Sequence, residues 1–401
     1  MSATLEQQPA GDATAMVLAR AQSLLDDRSL ENVRAWKRDH PGSLAIGHMP
    51  IYVPRPLLEA IGCLPVAIFG GGEDLDIIRG DSYFQSYVCH IPRSTVELGV
   101  SGHLDALDGM IFPSICDVIR NLGGMWKLLF PEKYVAYLDL PQNFDVSLGG
   151  RFYGDQLRRI ARELEARGAK PLEEGALRVA IADENARRVA IAELDDLRKV
   201  EPALVRATEA YQLVRAGASL TAREHHALLS EFLAAAHART PRRYDNVRVV
   251  LVGSFCEQPP IGLIRTLEKA SCDVVDDDFM LGFRMIEGSI EPRGSGDGID
   301  ALVEAYLQRG SETASRYIGE REKGASLVAR VRACGADGVV FAAASFCDPA
   351  LLDQPMLEAA LDRAGVPHTS FKFAENTGQF QVIREQAGAF SDAVKLWGAS
   401  P

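Results

Sequence analysis

Short apolar runs recur along this chain, each followed by a stretch that reads as helix, and this alternation is the strongest constraint on its fold. "SLAIGHMPIY" reads as a strand leaving for a turn at Pro50. "VPRPLLEAIG" follows, with prolines suited to a first helical turn and Gly62 suited to a helix end. "CLPVAIFGGG" runs into three glycines, "DSYFQSYVCHIPRSTVELG" reads as largely helical, "LDGMIFPSICDVIRNL" as strand, turn and helix, and "KYVAYLDLP" as another strand. Continuous apolar runs of this length, separated by helices, specify a parallel sheet with crossover connections and both faces covered.

The same layout returns later, without any repeat of the residues themselves. "NVRVVLVGSFCEQPP", "SCDVVDDDFM", "DGVVFAAASFC" and "VPHTSFKF" supply four more strand candidates, and "GQFQVIREQAGAFSDAVKLW" a last helix. "EPRGSGDG" reads as a flexible loop. Between the halves, "GDQLRRIARELEARG" and "TAREHHALLSEFLAAAHA" repeat leucine and alanine at helical spacing with charged faces. The expected fold is therefore α/β, with two doubly wound parallel-sheet (Rossmann-like) domains and a helical insert. The expected boundaries are an N-terminal helical segment over 1–40, with a helix around 12–37, a first α/β domain over 41–150, a helical region over 151–243 and a second α/β domain over 244–401. A chain of 401 residues exceeds one small core and buries roughly three quarters of its extended surface.

The formal charge of -12 argues against nucleic acid or an anionic membrane as the main partner. The first residues carry no basic segment followed by an apolar core, and no uncharged apolar run is long enough to span a bilayer. The seven cysteines are an odd number without a closely spaced pair, which disfavours a disulfide scaffold, a zinc ribbon or a sequential cluster motif. The expectation is a reduced, cytoplasmic protein.

Ligands of open parallel sheets collect at the carboxyl ends of strands. Cys116, Cys256 and Cys347 each come a few residues past a strand candidate, and Cys89 falls in a helix or turn beside that rim. Thiolates there suit soft metals or iron–sulfur clusters, with Arg93 able to favour the charged form of Cys89. Cys63, Cys272 and Cys334 lie within element-like runs and are read as packing residues. The adjacent pair Cys89-His90 is poor evidence for a nucleophilic dyad, since geometry and not adjacency makes one. His48 reads as a satisfied rim residue, the three glycines at 70–72 as a bare turn, and Asp276, Asp277 and Asp278 as exposed residues capping a helix. Gln379 and Arg384 of the last helix could hold a carbonyl or phosphate, or merely form a solvated face.

Taken together, "YVPRPLLEAIGCLPVAIFGGG", "SYVCHIPRSTVELG", "GMIFPSICDVIRNLGGMWKLLFP", "VGSFCEQPP", "VVDDDFMLGFR", "FAAASFCDPALL" and "SFKFAENTGQFQVIREQAGAFSD" resemble the 2-hydroxyacyl-CoA dehydratase and benzoyl-CoA reductase family. Within it they most resemble the C-subunit group of the ATP-dependent reductases, from about residue 40 onward. The resemblance implies a [4Fe-4S] cluster held by Cys89, Cys116 and Cys347, with Cys256 a fourth ligand or a lining residue. It implies a homologous sibling subunit and two ATP-hydrolysing activator subunits, with reduced ferredoxin as electron source. This chain has no P-loop lysine motif and no sequential cluster cysteines, as suits a core subunit. The implied reaction is single-electron reduction of benzoyl-CoA to cyclohexa-1,5-diene-1-carbonyl-CoA. The alternatives are dehydration of a 2-hydroxyacyl-CoA and a non-catalytic partner role. His90 or Glu257 would donate the proton, and Arg55 and Arg384 would be contacts for the coenzyme A phosphates.

Overall fold

The computed structural model describes residues 10–71, 75–241, 243–253, 259–291, 297–316, 322–374 and 380–397. Two helices open the described chain, α1 (Ala10–Leu25) and α2 (Glu31–Asp39). The single helix expected over 12–37 is thus broken: Leu30 takes a left-handed conformation, and the carboxylate of Asp27 accepts from the amides of Glu31 and Asn32 to start α2.

The first sheet is built from β1 (Ala45–His48), β2 (Leu64–Ala67), β3 (Gly109–Pro113) and β4 (Tyr134–Leu138). The helices α3 (Arg55–Ala60), α4 (His90–Val100) and α5 (Asp117–Leu129) connect them in turn. The strand order is β2-β1-β3-β4 and all pairs are parallel. Next come α6 (Arg151–Glu165), α7 (Glu174–Val200), α8 (Ala207–Ala216) and α9 (Ala222–Ala236). Thr221 and Glu224 form a reciprocal capping box that starts α9.

The second sheet consists of β5 (Val247–Val252), β6 (Cys272–Asp277), β7 (Gly338–Ala344) and β8 (His368–Phe373). Around it lie α10 (Ile261–Lys269), α12 (Ala325–Ala333), α13 (Asp348–Ala364) and α14 (Phe380–Trp397), while α11 (Gly298–Arg309) packs on α6 and α7. Its order, β6-β5-β7-β8, repeats the first sheet's layout, again wholly parallel. The α/β class with two doubly wound sheets is therefore what the alternating runs encode. In both sheets the chain switches direction between the two central strands, β1 and β3 or β5 and β7, the place where open parallel sheets bind their ligands.

Strand periodicity divides the core. Val249 and Leu251 of β5 join a large apolar core that also includes Ile46, Phe112 and Trp126 of the first α/β unit. Val250 and Val252 face the other way and pack with Leu327, Val331 and Leu361 of α12 and α13. A separate core joins Val17 and Ala21 of α1 to Ile191, Leu213, Leu229 and Phe232 of α7, α8 and α9. No helix among the described residues is long and apolar enough to cross a membrane.

Candidate functional site

Three cysteines stand at helix starts, two of them directly past strands. Cys116 is the N-cap of α5 just past β3, Cys347 is the N-cap of α13 just past β7, and Cys89 is the N-cap of α4. The first amides of a helix have no partner within it and carry the positive end of its dipole, so a thiolate or an anionic group is favoured there. Burial pushes the Cys116 thiol up, while the nearby amides of Ile119 and Val118 act in the opposite sense.

These helix starts come from both halves of the chain. Asp348, the first residue of α13, lies near enough to Cys116 to raise its pKa further. His90 and Arg93 at the start of α4 share a cleft with Ser345 and Phe346 of the β7–α13 turn and Phe373 at the end of β8. That cleft holds about 990 Å³ of space, counting solvent at its mouth. Phe346 turns into the left-handed region at φ 66° and leaves its ring 49 % exposed, a strained backbone of the kind that collects at functional sites.

The wall opposite this turn is tied down by one carboxylate. Glu97 of α4 accepts from the amides of Ile78, Arg79 and Gly80 at 2.8, 2.6 and 2.8 Å. Desolvation opposes its charge, and the three amides outweigh it, so its pKa is lowered. Gly80 is needed here because a Cβ would stand 2.1 Å from the Arg93 carbonyl oxygen. Arg93 in turn donates to Asp81 at 2.8 Å, a pairing the sequence did not suggest for it. The segment expected to be helical before Cys89 holds only a single short turn at Gly80–Tyr83, and α4 begins at His90.

His90 is buried and lines the cleft. Arg384 is exposed on α14, whereas Arg55 is half-buried and donates to the carbonyls of Gly217, at 3.1 Å, and Leu220. Cys256, Glu257 and Gln379 lie outside the described residues. Cys63, Cys272 and Cys334 are buried among apolar neighbours, and burial pushes the first two thiols up to about 12.

Two sequence expectations are corrected. Asp276 and Asp277 are not exposed: Arg284 and Arg330 pair with Asp276, and Arg198 reaches Asp277 at 2.7 Å. Burial opposes the charge of Asp276, but the arginines prevail and hold its pKa low. His48 is not satisfied at the rim either, being buried with Nε2 lacking a hydrogen-bond partner. Glu97, Asp348 and Phe346 escaped the sequence reading because their roles depend on contacts between elements.

Among the described residues no group of three or more His, Cys, Asp and Glu side chains is gathered closely enough to hold a metal ion. A four-iron cluster makes a different demand, since each thiolate takes its own iron and the thiolates surround a larger body. Three cysteines on separate helix starts, none of the described cysteines being disulfide-bonded, are a donor set of the right chemistry for it.

A family described as 2-hydroxyglutaryl-CoA dehydratase, D-component, matches residues 50–394. The chain is 46% identical over 385 residues to the C-type subunit of benzoyl-CoA reductase from Thauera aromatica, covering 96% of this chain and 99% of that protein. It is 25% identical to the (R)-phenyllactyl-CoA dehydratase beta subunit of Clostridium sporogenes, over 91% of this chain and 96% of the relative. The beta subunit of lactoyl-CoA dehydratase from Anaerotignum propionicum is also 25% identical, over 93% of this chain and 96% of the relative. With the match running across both sheets and both rims, the chain belongs to the 2-hydroxyglutaryl-CoA dehydratase D-component family, and within it is similar to a benzoyl-CoA reductase subunit over nearly its whole length.

Proposed function

We propose that the chain is an iron–sulfur core subunit of an ATP-dependent benzoyl-CoA reductase, forming cyclohexa-1,5-diene-1-carbonyl-CoA within a cytoplasmic hetero-oligomer. The observation that carries this reading is that Cys89, Cys116 and Cys347 each stand at the start of a helix, in a chain 46% identical to a reductase subunit over nearly its whole length. Cys89, Cys116 and Cys347 would hold a [4Fe-4S] cluster, with Cys256 a fourth ligand or a lining residue. Such a cluster supplies single electrons at low potential when bound.

The chain's own groups have defined tasks in this reading. The helix starts favour negative charge on the thiolates, and the burial of Cys347 and His90 limits water. His90, in the cleft wall, would donate the proton, with Glu257 the other candidate. The exposed ring of Phe346 offers an apolar face to an aromatic substrate. Arg384 is accessible to a coenzyme A phosphate, and Gln379 is the other candidate for a substrate contact. A homologous sibling subunit would complete the core, two activator subunits would hydrolyse ATP, and reduced ferredoxin would be the electron source.

The test is iron and acid-labile sulfide per chain after anaerobic copurification with the sibling, for wild type and separate Cys89, Cys116, Cys256 and Cys347 to alanine variants. The Cys89, Cys116 and Cys347 variants should each lose about one four-iron cluster. Unchanged iron in those three would refute the cluster assignment. The similarity to dehydratase beta subunits supports a second reading, dehydration of a 2-hydroxyacyl-CoA. Ring reduction consumes electron donor continuously, whereas a dehydration that returns its electron needs only a catalytic charge; donor consumption per product separates the two.

A further inference from the structure

The two sheets place a cysteine at matching positions, and each cysteine brings a carboxylate with it. β3 and β7 hold the same place in the orders β2-β1-β3-β4 and β6-β5-β7-β8, and each leads into a helix whose N-cap is a cysteine. In both helices the next residue is an aspartate in the first turn, Asp117 after Cys116 in α5 and Asp348 after Cys347 in α13. The third helix start differs. Cys89 is followed by His90, the first turn of α4 holds no acid, and its Arg93 is paired with Asp81 at 2.8 Å.

An aspartate in a first turn is an ordinary way to start a helix, because the unpaired amides and the dipole favour its charge. Helix starting explains each carboxylate singly, but not its effect on the sulfur beside it. Both aspartates bear on Cys116, Asp348 from the other half of the chain, and both oppose negative charge on its sulfur. Neither carboxylate forms an ion pair among the described residues, and both are exposed, so no cation of this chain neutralises them.

The potential of a cysteine-held cluster follows the net charge and the hydrogen-bond donors around it. Gaining an electron makes such a cluster more negative, so three helix starts, with their first amides and positive dipole ends, would raise its potential. The ring reduction proposed above needs electrons of low potential. An unpaired carboxylate next to each of two thiolates works in the opposite sense. Resting on that proposed function, we infer that Asp117 and Asp348 are tuning residues whose negative charges offset the helix starts and hold the cluster of this subunit at low potential. They act through Cys116 and Cys347 and take no part in ligation.

The experiment is a redox titration of the anaerobically copurified core subunits, followed by electron paramagnetic resonance, with iron measured in the same samples. The signal lost in Cys116→Ala identifies the cluster of this chain. Asp117→Asn and Asp348→Asn should each keep full iron and raise the midpoint, changing the reduced-to-oxidised ratio at a fixed ambient potential about threefold, and the double variant about tenfold. Because both charges are exposed, the shift should shrink at high salt. Asp348→Glu keeps the charge and should keep the wild-type midpoint. Asp245→Asn removes an exposed charge just before β5, at the opposite end of the sheet, and should leave the midpoint unmoved. Full iron with an unmoved or lowered midpoint in the double variant, an equal shift in Asp245→Asn, or loss of iron in the asparagine variants would overturn the inference alone. Wild-type chains without iron would overturn the cluster reading itself, and the inference with it.

Discussion

Two strand ends of the second sheet carry reactive side chains in opposite circumstances. β7 leads through the strained Phe346 to Cys347, at the start of α13 and beside an open cleft. β6 ends in Asp276 and Asp277, which are 2 % and 6 % exposed and closed off by Arg198, Arg284 and Arg330. Arg198 comes from α7 and also pairs with Asp195, so the closed end fastens the helical layer to the sheet. A strand's carboxyl end concentrates polar groups in both cases, but at β6 the charges of Asp276 and Asp277 are taken up by arginines of the same chain.

The comparison breaks most visibly at the closed end. Arg198→Met leaves buried carboxylates without their cation and should cost about 3–5 kcal/mol of stability, read by urea unfolding, with iron per folded chain unchanged. Cys116→Ala is expected to do the reverse, removing iron while changing stability by less than about 1 kcal/mol. If Arg198→Met removed iron from chains that remain folded, the two ends would not be separable.

Acid should sharpen the contrast. Burial lowers His48 from 6.5 to about 4 and lowers His225 well below 6.5. Below pH 6.5 the unfolded chain binds these protons and the folded chain does not, so stability falls with pH before the carboxylates titrate. The His48 contribution amounts to about 3 kcal/mol once pH has fallen through its folded value. The pKa of Asp276 is lowered, so its stabilisation is whole above its ordinary 3.8 and is lost only as pH falls below that toward the folded value. Unfolding free energies between pH 7 and pH 4 should therefore slope downward, and His48→Asn should flatten that slope; a flat wild-type profile would contradict neutral buried histidines.

Glu97→Gln tests the cleft wall. It replaces a carboxylate serving three amides and should cost about 1.5–3 kcal/mol, with faster hydrogen exchange at Ile78, Arg79 and Gly80 and little change near Asp276. The smallest effect expected is at Phe346. Glycine there relieves the left-handed backbone and should gain about 1 kcal/mol or less, while the loss of the ring lowers activity of the assembled enzyme. A loss of stability would mean that the ring's packing outweighs the backbone strain.

The strand runs were legible because parallel strands buried on both faces must be continuously apolar, as "GVVFAAA" is in β7. Cys116 and Cys347 could be placed at a rim from sequence because each follows such a run within a few residues. The break at Leu30 was hidden, since neither glycine nor proline marks it. The aspartates of β6 were misread because the arginine that neutralises Asp277 lies 79 positions away, on another element.

By itself, the sequence determined the alternation of strand and helix, the two-sheet layout and the positions of cysteines just past strands, all of which follow from local periodicity and turn chemistry. Tertiary structure alone decided which polar residues met partners: the arginines over Asp276 and Asp277, the amides around Glu97, the approach of Asp348 to Cys116 and the unmatched Nε2 of His48. Periodicity shows which face of an element is buried, but a hydrogen bond or ion pair depends on where another, distant element brings its side chains.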